Sequence, residues 1–342
     1  KLAEYQARYI EKIAIDIIEG GRESDNYSSV YMIDAPVGTG KTEIFFFAVL
    51  LNALLGKRSI IVYPRKALET DQAQRLLDRL EKLKECGDTI KVPRLLILDG
   101  DSVWLRERKR DYLANIIGKD LRCPRHKTQL KVQYSNNQYR IVCDNGHEID
   151  FLMIFRDDVL QKPEIIITNR YLLMTSAIRE YRGGNVNEYQ ASFFKDVSLI
   201  VFDEAHVYTN LEGGDLALFL QAIRYLVQQY GSKLKIIFSS ATVPNPQEFA
   251  GKLAGVPENE VFYIPYQSPG FKVDRYKLNI VTTLMPTPRF SAETLLQVVV
   301  LASMLWLRKY GYKGIVFVDS RTEISRIFHY IYETILERGG YD

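Results

Sequence analysis

Cysteine, histidine and tryptophan are scarce in this chain, with three, four and two residues in 342. Three cysteines make no disulfide framework, which excludes a small cross-linked secreted scaffold. No apolar run approaches the roughly 20 residues that span a bilayer, and Lys1 to Gly20 lacks the charged-then-apolar order of a signal peptide. The expectation is a cytoplasmic protein with no membrane partner. Excess charge is missing too: a net charge of +3 is too small to attract nucleic acid by bulk electrostatics, so any such binding must come from local groups. What is present is enough apolar chain for one large or two ordinary domains with a full core.

The most informative stretch, Val30 to Thr42, reads V-Y-M-I-D-A-P-V-G-T-G-K-T. Its apolar start predicts a buried strand ending near Asp34. A glycine-broken loop follows, and Lys41-Thr42 opens an amphipathic run through Ile44 to Ala48. Gly38 and Gly40 tolerate positive φ and close approach, so the loop from Ala35 through Thr39 to Gly40 can turn its N–H groups onto nucleotide phosphates. Lys41 would then reach the β and γ phosphates of ATP and Thr42 the Mg²⁺, at the positive end of a helix. A chance glycine turn is the other reading.

A second chemical signal closes the apolar run Leu199 to Phe202, where Asp203 and Glu204 are followed by Ala205-His206. Asp203 would hold Mg²⁺ through water, and Glu204 would orient and deprotonate the attacking water, since phosphoryl transfer needs little beyond positioning and charge stabilisation. Merely solvated acids are the alternative. After the next strand, Leu234 to Phe238, the string Ser239-Ser240-Ala241-Thr242 offers hydroxyls that can bond His206 and the acids and so report nucleotide state; a simple strand-end turn is the plainer reading.

Two further strand ends carry polar groups. Ser59 to Tyr63 is a strand ended by Pro64, and Arg65 to Leu83 is a helix with Leu68, Leu76, Leu77 and Leu80 on one side. Ligand sites of open α/β sheets lie at the carboxyl ends of strands, so Arg65 and Lys66 can touch nucleic-acid phosphates, unless they are ordinary surface charge. Glu164 to Thr168 is another buried strand, and Asn169-Arg170 opens the next helix. Thr168, Asn169 and Arg170 there offer donors to a phosphate, or a plain helix cap.

Between these strands the rhythm breaks. Arg106 to Lys131 holds nine Lys or Arg against three acids, and an inserted module occupies about 119–150. Cys123-Pro-Arg-His126 and Cys143-Asp-Asn-Gly-His147 form two knuckles separated by sixteen residues that read as a hairpin, Leu130 to Tyr134 and Tyr139 to Val142. Brought together, Cys123, His126, Cys143 and His147 supply a tetrahedral Zn²⁺ site of the ribbon kind, which contributes folding energy that so small a module otherwise lacks. A Cys123–Cys143 disulfide or four unrelated surface residues are the alternatives. Cys86, far from any histidine, is read as a helix packing residue.

The set A-P-V-G-T-G-K-T, Y-P-R-K-A-L, T-N-R, D-E-A-H and S-A-T, in this order and at strand ends, resembles superfamily 2 DEAH-type helicases from Leu2 to about Ser320. Ala35, in place of the first glycine of the strict phosphate loop, is that superfamily's spelling. The resemblance implies a RecA-like, doubly wound α/β sheet with Lys41 and Thr42 as phosphate and Mg²⁺ ligands and Asp203 and Glu204 as metal holder and catalytic base. It also implies Ser240 and Thr242 as coupling residues, and Arg65, Thr168 and Asn169 on the nucleic-acid backbone. Gln6, on an amphipathic helix with Tyr5, Tyr9, Ile10, Ile13 and Ile17, becomes a candidate adenine reader, with a solvated helix glutamine as the alternative.

Within the superfamily, D-E-A-H-V-Y with Gly213-Gly214, Ala217 and Arg224-Tyr-Leu226, then S-A-T-V-P-N-P-Q-E-F-A-G-K-L-A-G, is similar to DNA-repair and phage-defence translocases. The mitomycin-repair helicases and their DISARM relatives belong to that subgroup. The Cys/His insertion is not general there, and no four-cysteine domain appears in this sequence. From 268 to 342, after a first domain over 1–267, a strand at Tyr276 to Thr283, a helix at Glu293 to Tyr310 and a strand at Gly314 to Val318 read as the opening of a second RecA-like domain. The sequence ends before the glutamine- and arginine-rich motif that completes the ATP site, as expected of part of a longer protein or of a chain completed by a partner subunit. The implied function is an ATP-dependent DNA helicase or translocase in repair or defence, on single strands or duplex junctions. An RNA helicase, a CRISPR-associated helicase component and a non-hydrolysing recruitment subunit are alternatives.

Overall fold

A computed structural model describes residues 4–19, 29–87, 90–99, 102, 121–135, 138–181, 193–241, 243–266, 292–311, 314 and 321–332. The chain divides into two compact units, Lys1–Phe271 and Lys272–Asp342.

In the first unit, eight strands form one sheet in the order β10-β1-β9-β8-β2-β7-β3-β6, and every neighbouring pair is parallel. The strands are β1 (Val30–Asp34), β2 (Arg58–Tyr63), β3 (Leu95–Leu98), β6 (Leu152–Met153), β7 (Ile165–Asn169), β8 (Val197–Phe202), β9 (Lys235–Ser240) and β10 (Val261–Pro265). Their near-continuous apolar spelling suits a sheet buried on both faces, because parallel strands need crossover helices that cover them. Alternate residues divide between the faces. Tyr31, Ile33, Ile61, Tyr63, Leu199 and Val201 point to one core, and Val30, Met32, Ile60, Val62, Ile200 and Phe202 point to the other.

The first core is covered by α1 (Glu4–Glu19), α2 (Lys41–Leu54) and α3 (Lys66–Glu85), through Ile13, Phe45, Phe46, Leu76, Leu77 and Leu80 among others. Over the second lie α4 (Arg170–Tyr181), α5 (Asn210–Gln229) and α6 (Pro246–Ala254), contributing Leu173, Leu216, Leu220, Ile223 and Leu253. The arrangement is the RecA-like doubly wound fold that the motif order implies. Gly213 lets α5 pass close to its own entry loop: a Cβ there would sit 2.7 Å from the Tyr208 carbonyl oxygen.

The inserted module lies between β3 and β6. Its hairpin pairs β4 (Leu130–Ser135) with β5 (Gln138–Cys143), in a register that sets Leu130 opposite Cys143 and Ser135 opposite Gln138. Leu121, Cys123, Leu130, Ile141 and Cys143 join the same core as α3, so the module shares its apolar floor with the sheet domain. Cys86 is exposed just past the end of α3, where its thiol donates to the Lys82 carbonyl, and it does not pack as expected.

In the second unit the described residues form α7 (Ala292–Tyr310) and α8 (Arg321–Tyr332). The expected strands at Tyr276 to Thr283 and Gly314 to Val318 fall outside the described residues, apart from Gly314. No helix of the described residues is long and apolar enough to cross a membrane.

Candidate functional site

Parallel strands share a direction, so their carboxyl ends collect along one edge of the sheet, and the predicted motifs follow five of those strands. Asp34 at the end of β1 is in register with Ser240 at the end of β9, and Val62 on β2 is opposite Phe202 on β8 and Thr168 on β7. The Ala35 N–H donates to the Ser240 carbonyl at 3.2 Å and the Asp203 N–H to the Val62 carbonyl at 3.1 Å, which ties the loops to the sheet.

The loop after β1 turns on two left-handed glycines, Gly38 with φ 83° and Gly40 with φ 87°. L-residues rarely adopt this conformation, which is why glycine occupies both positions. The Thr39 hydroxyl donates to the Pro36 carbonyl at 2.7 Å. Helix α1 closes over the loop from the other side. The Tyr5 hydroxyl donates to the Thr39 carbonyl, and the Gln6 amide donates to the Gly40 carbonyl at 3.0 Å and to that of Thr39 at 3.4 Å. The amide assigned from sequence to adenine therefore holds the loop backbone here, and a Cβ on Gly40 would lie only 2.2 Å from it.

Lys41 opens α2 and is buried. Its Nζ has no hydrogen-bond partner among the described residues and lies 3.9 Å from Glu204 Oε1. A buried ammonium with so distant a counter-ion is costly unless an anion completes its surroundings. Half-buried Thr42 follows it. Asp203 is 3% exposed, and burial chiefly holds its carboxyl above the usual range, so that an arriving cation is favoured. Its Oδ1 accepts the Glu204 N–H at 3.0 Å. Glu204 itself is left-handed at φ 49°, a strained backbone for a residue other than glycine, costing on the order of 1–2 kcal/mol. That turn aims its carboxylate back toward Lys41.

His206 Nδ1 lies 3.2 Å from Ser240 Oγ and 3.3 Å from Glu204 Oε2. The Ser240 hydroxyl hydrogen already goes to the Ala241 carbonyl at 2.6 Å, so Oγ is left as an acceptor and Nδ1 carries the proton. The predicted group of Lys41, Glu204, His206 and Ser240 is thus brought together. Thr242 lies outside the described residues.

The five nucleic-acid candidates fare differently. Arg65 is exposed where β2 gives way to α3, while the side chain of Lys66 is outside the described residues. The Thr168 hydroxyl is wholly enclosed without a hydrogen-bond partner among the described residues, and Asn169 Oδ1 caps α4 by accepting from the Leu172 N–H at 3.0 Å. Arg170 donates to the Glu212 carbonyl at 3.2 Å and covers the Tyr208 ring.

Away from this edge, the four Cys and His residues of the module converge. Cys123 Sγ is 3.3 Å from His147 Nδ1 and 3.7 Å from His126 Nδ1, and Cys143 Sγ is 3.3 Å from His126 Nδ1. Both imidazoles present the same nitrogen to sulfur. Sequence reasoning missed what lies behind them, a face of α3 carrying Gln74, Asp78 and Glu81. Their spacing of four and three is a helical stripe, legible only once its basic counterpart is known.

The DEAD/DEAH box helicase family matches residues 4–177 and 156–249. ATP-dependent helicase hrq1 of Schizosaccharomyces pombe is 24% identical over 228 residues, covering 66% of this chain and 16% of that protein. The ATP-dependent helicase MJ1574 of Methanocaldococcus jannaschii is 24% identical over 220 residues, covering 64% and 24%. The chain thus spans a quarter or less of these two curated relatives. Among solved structures, Mycobacterium smegmatis helicase Lhr bound to single-stranded DNA and AMP-PNP superposes with a TM-score of 0.59 at 17% identity, covering 99% of this chain and 36% of that one. The DUF1998 helicase MrfA bound to DNA gives 0.57 at 20%, covering 96% and 36%. With the loop after β1, the D-E-A-H turn and Ser240-Ala241 on one sheet edge, and the family matched over most of its length, this chain belongs to the DEAD/DEAH box helicases.

Proposed function

We propose that the chain is the nucleotide-binding part of an ATP-dependent DNA helicase or translocase, with 1–267 as a first RecA-like domain and 268–342 as the start of a second. The observation that carries this reading is the buried Lys41 ammonium, which has no hydrogen bond among the described residues and faces Glu204 across a loop bent by two left-handed glycines. Such a group fits a polyphosphate, and the enclosed Asp203 beside it fits a divalent cation.

When bound, Mg²⁺ would neutralise charge on the β and γ phosphates. The chain's own residues do the rest. The loop N–H groups and Lys41 bind and orient the phosphates, with Thr42 at the cation. Glu204 holds the attacking water and takes its proton, and its strained turn, fixed by Asp203, sets the direction of the carboxylate. His206 joins Glu204 to Ser240 at the end of β9, a path by which the water-positioning acid can be coupled to a neighbouring domain. Arg65 and Arg170, at the same edge, are read as contacts to a nucleic-acid backbone, and phosphate contacts make such an engine tolerant of sequence.

DNA is favoured over RNA by the subgroup spelling around D-E-A-H-V-Y, although a DEAD-box helicase, Mss116, whose structure holds single-stranded RNA, also superposes with a TM-score of 0.55. A place in repair or phage defence, and partner subunits, follow from the same resemblance. The test is the ATPase rate of the natural full-length polypeptide alone and with single-stranded DNA, duplex DNA and RNA, beside Glu204→Gln. DNA stimulation that falls by about 10²–10⁴ in the variant, with ATP affinity kept, is the expected result. ATP binding without hydrolysis under any condition would replace this reading with a recruitment subunit.

A second reading concerns the module. Cys123, His126, Cys143 and His147 are read as ligands of a structural Zn²⁺. Bond lengths of about 2.3 Å to sulfur and 2.0 Å to nitrogen set sulfur and nitrogen about 3.5 Å apart across a tetrahedral angle. The distances of 3.3, 3.7 and 3.3 Å bracket that value.

A further inference from the structure

We propose that Glu81, on helix α3 of the ATPase core, is the positioning carboxylate of the Cys/His metal site, so that the site is shared between the inserted module and the sheet domain. The proposal rests on the Zn²⁺ reading just given and adds a fifth residue, from outside the module.

Its basis is geometric. Each imidazole has two nitrogens, and His147 turns Nδ1 to Cys123 while its Nε2 lies 3.4 Å from Glu81 Oε1. A metal-bound histidine donates its remaining N–H, and a carboxylate there fixes the ring and raises its basicity as a ligand. Glu81 is 3% exposed on a helix whose neighbouring Leu76, Leu77 and Leu80 are fully buried, a costly place for a charge that had no role. Arg125, between the first two ligands, donates to the same oxygen at 2.5 Å, and Oε2 has no hydrogen-bond partner among the described residues. One carboxylate thereby touches both knuckles, the first through Arg125 and the second through His147.

The rest of the α3 face repeats the pattern with partners that miss the ligands. Gln74 accepts the Arg122 N–H at 2.7 Å and donates to the Arg122 carbonyl at 3.0 Å, and Lys127 donates to Asp78 at 3.1 Å. These contacts dock the module. Glu81 alone among them reaches a ligand ring. The module's apolar residues continue the core beneath α3, so docking and metal binding happen on one surface.

The test uses the full chain loaded with Zn²⁺ and titrated with a chromophoric chelator, alongside Co²⁺ substitution to read the ligand set from its d–d bands. The parent should hold one equivalent. Glu81→Leu, which keeps the volume and removes the acceptor, should weaken the metal by about 10–100-fold with the cobalt bands of a two-sulfur, two-nitrogen site retained. Glu81→Gln, which keeps a neutral acceptor, should fall between it and the parent. Asp78→Asn, which disturbs docking only, should match the parent. A parent-like affinity in Glu81→Gln together with either a parent-like or an unfolded Glu81→Leu would overturn the role of Glu81. A parent that binds neither Zn²⁺ nor Co²⁺ would instead remove the metal reading on which it rests.

Discussion

The nucleotide edge and the Cys/His module both present groups suited to a cation, yet they are prepared in opposite ways. At the edge, charge is buried and left incomplete: Lys41 Nζ has no hydrogen bond among the described residues, and Asp203 is enclosed with its carboxyl held up by burial. In the module Cys123 already touches both imidazoles and Cys143 that of His126, and Glu81 stands behind His147. A ligand that comes and goes is favoured by surroundings that remain unsatisfied without it. An ion that stays is favoured by a cage whose members are held in place from several sides.

The largest effect that would sharpen this contrast is in Lys41→Ala. ATP affinity should drop by about 3 kcal/mol or more, roughly a hundredfold, in a fluorescent-nucleotide titration, because a charged partner of the phosphates is lost. Thermal stability of the ATP-free protein should stay level or rise, since the substitution removes a buried charge with no hydrogen bond among the described residues. A lowered melting midpoint with unchanged ATP affinity would make Lys41 structural and dissolve the comparison.

Chelation or Cys143→Ser should show the reverse. Losing a structural ion on a surface continuous with the core should lower the melting midpoint by roughly 5–10 °C while ATP affinity holds. No calorimetric shift on chelation would count against the cage.

The smallest effect lies at the return from the module, where the half-buried Glu164 accepts from the Arg94 backbone at 2.9 Å and from its guanidinium at 3.2 Å. Burial acts to raise this carboxyl, but the Arg94 bonds outweigh it and hold it below the usual range. A depressed carboxyl adds stability that is complete above the unfolded value, about 4.3, and is lost as pH falls through the folded one. Glu164→Gln should therefore flatten the acid side of the stability profile and leave neutral-pH ATP binding alone, as urea melts across pH would record.

Legibility in the sequence followed the same division. The phosphate loop, D-E-A-H and S-A-T were readable because each is contiguous and placed at a strand end, where parallel topology gathers them on one edge. The doubly wound fold was readable from buried runs such as Ile165-Ile-Ile167. Four metal candidates stood out because Cys and His are rare here. Less visible was anything that needs two distant elements to meet. Gln6 and Tyr5 holding the loop carbonyls, Glu81 behind His147, and Glu43 of α2 paired with Arg75 and Arg79 of α3 depend on docking that no local pattern encodes. Edge strand β10 was missed because Val261-Phe-Tyr-Ile-Pro265 is short and ends in proline, which an edge tolerates and a central strand does not. Thr168 and Asn169 were placed correctly at a strand end, but strand position does not say that one hydroxyl is enclosed and one amide is engaged by a helix N-terminus.

Helix α3 runs from Lys66 to Glu85 and shows two different faces to two neighbours: Arg75 and Arg79 to Glu43 of the phosphate-loop helix, and Gln74, Asp78 and Glu81 to the module. Each residue added to an α-helix turns everything beyond it by about 100°. An insertion or deletion of one or two residues before Arg75 would swing both faces away from their partners, and a change of about seven residues, close to two full turns, would restore their direction but slide them about 10 Å along the axis. The length of α3 is therefore held by its two neighbours even where its sequence is free to drift. Among natural variants of this chain, length changes belong in the connections around α3 and not within it.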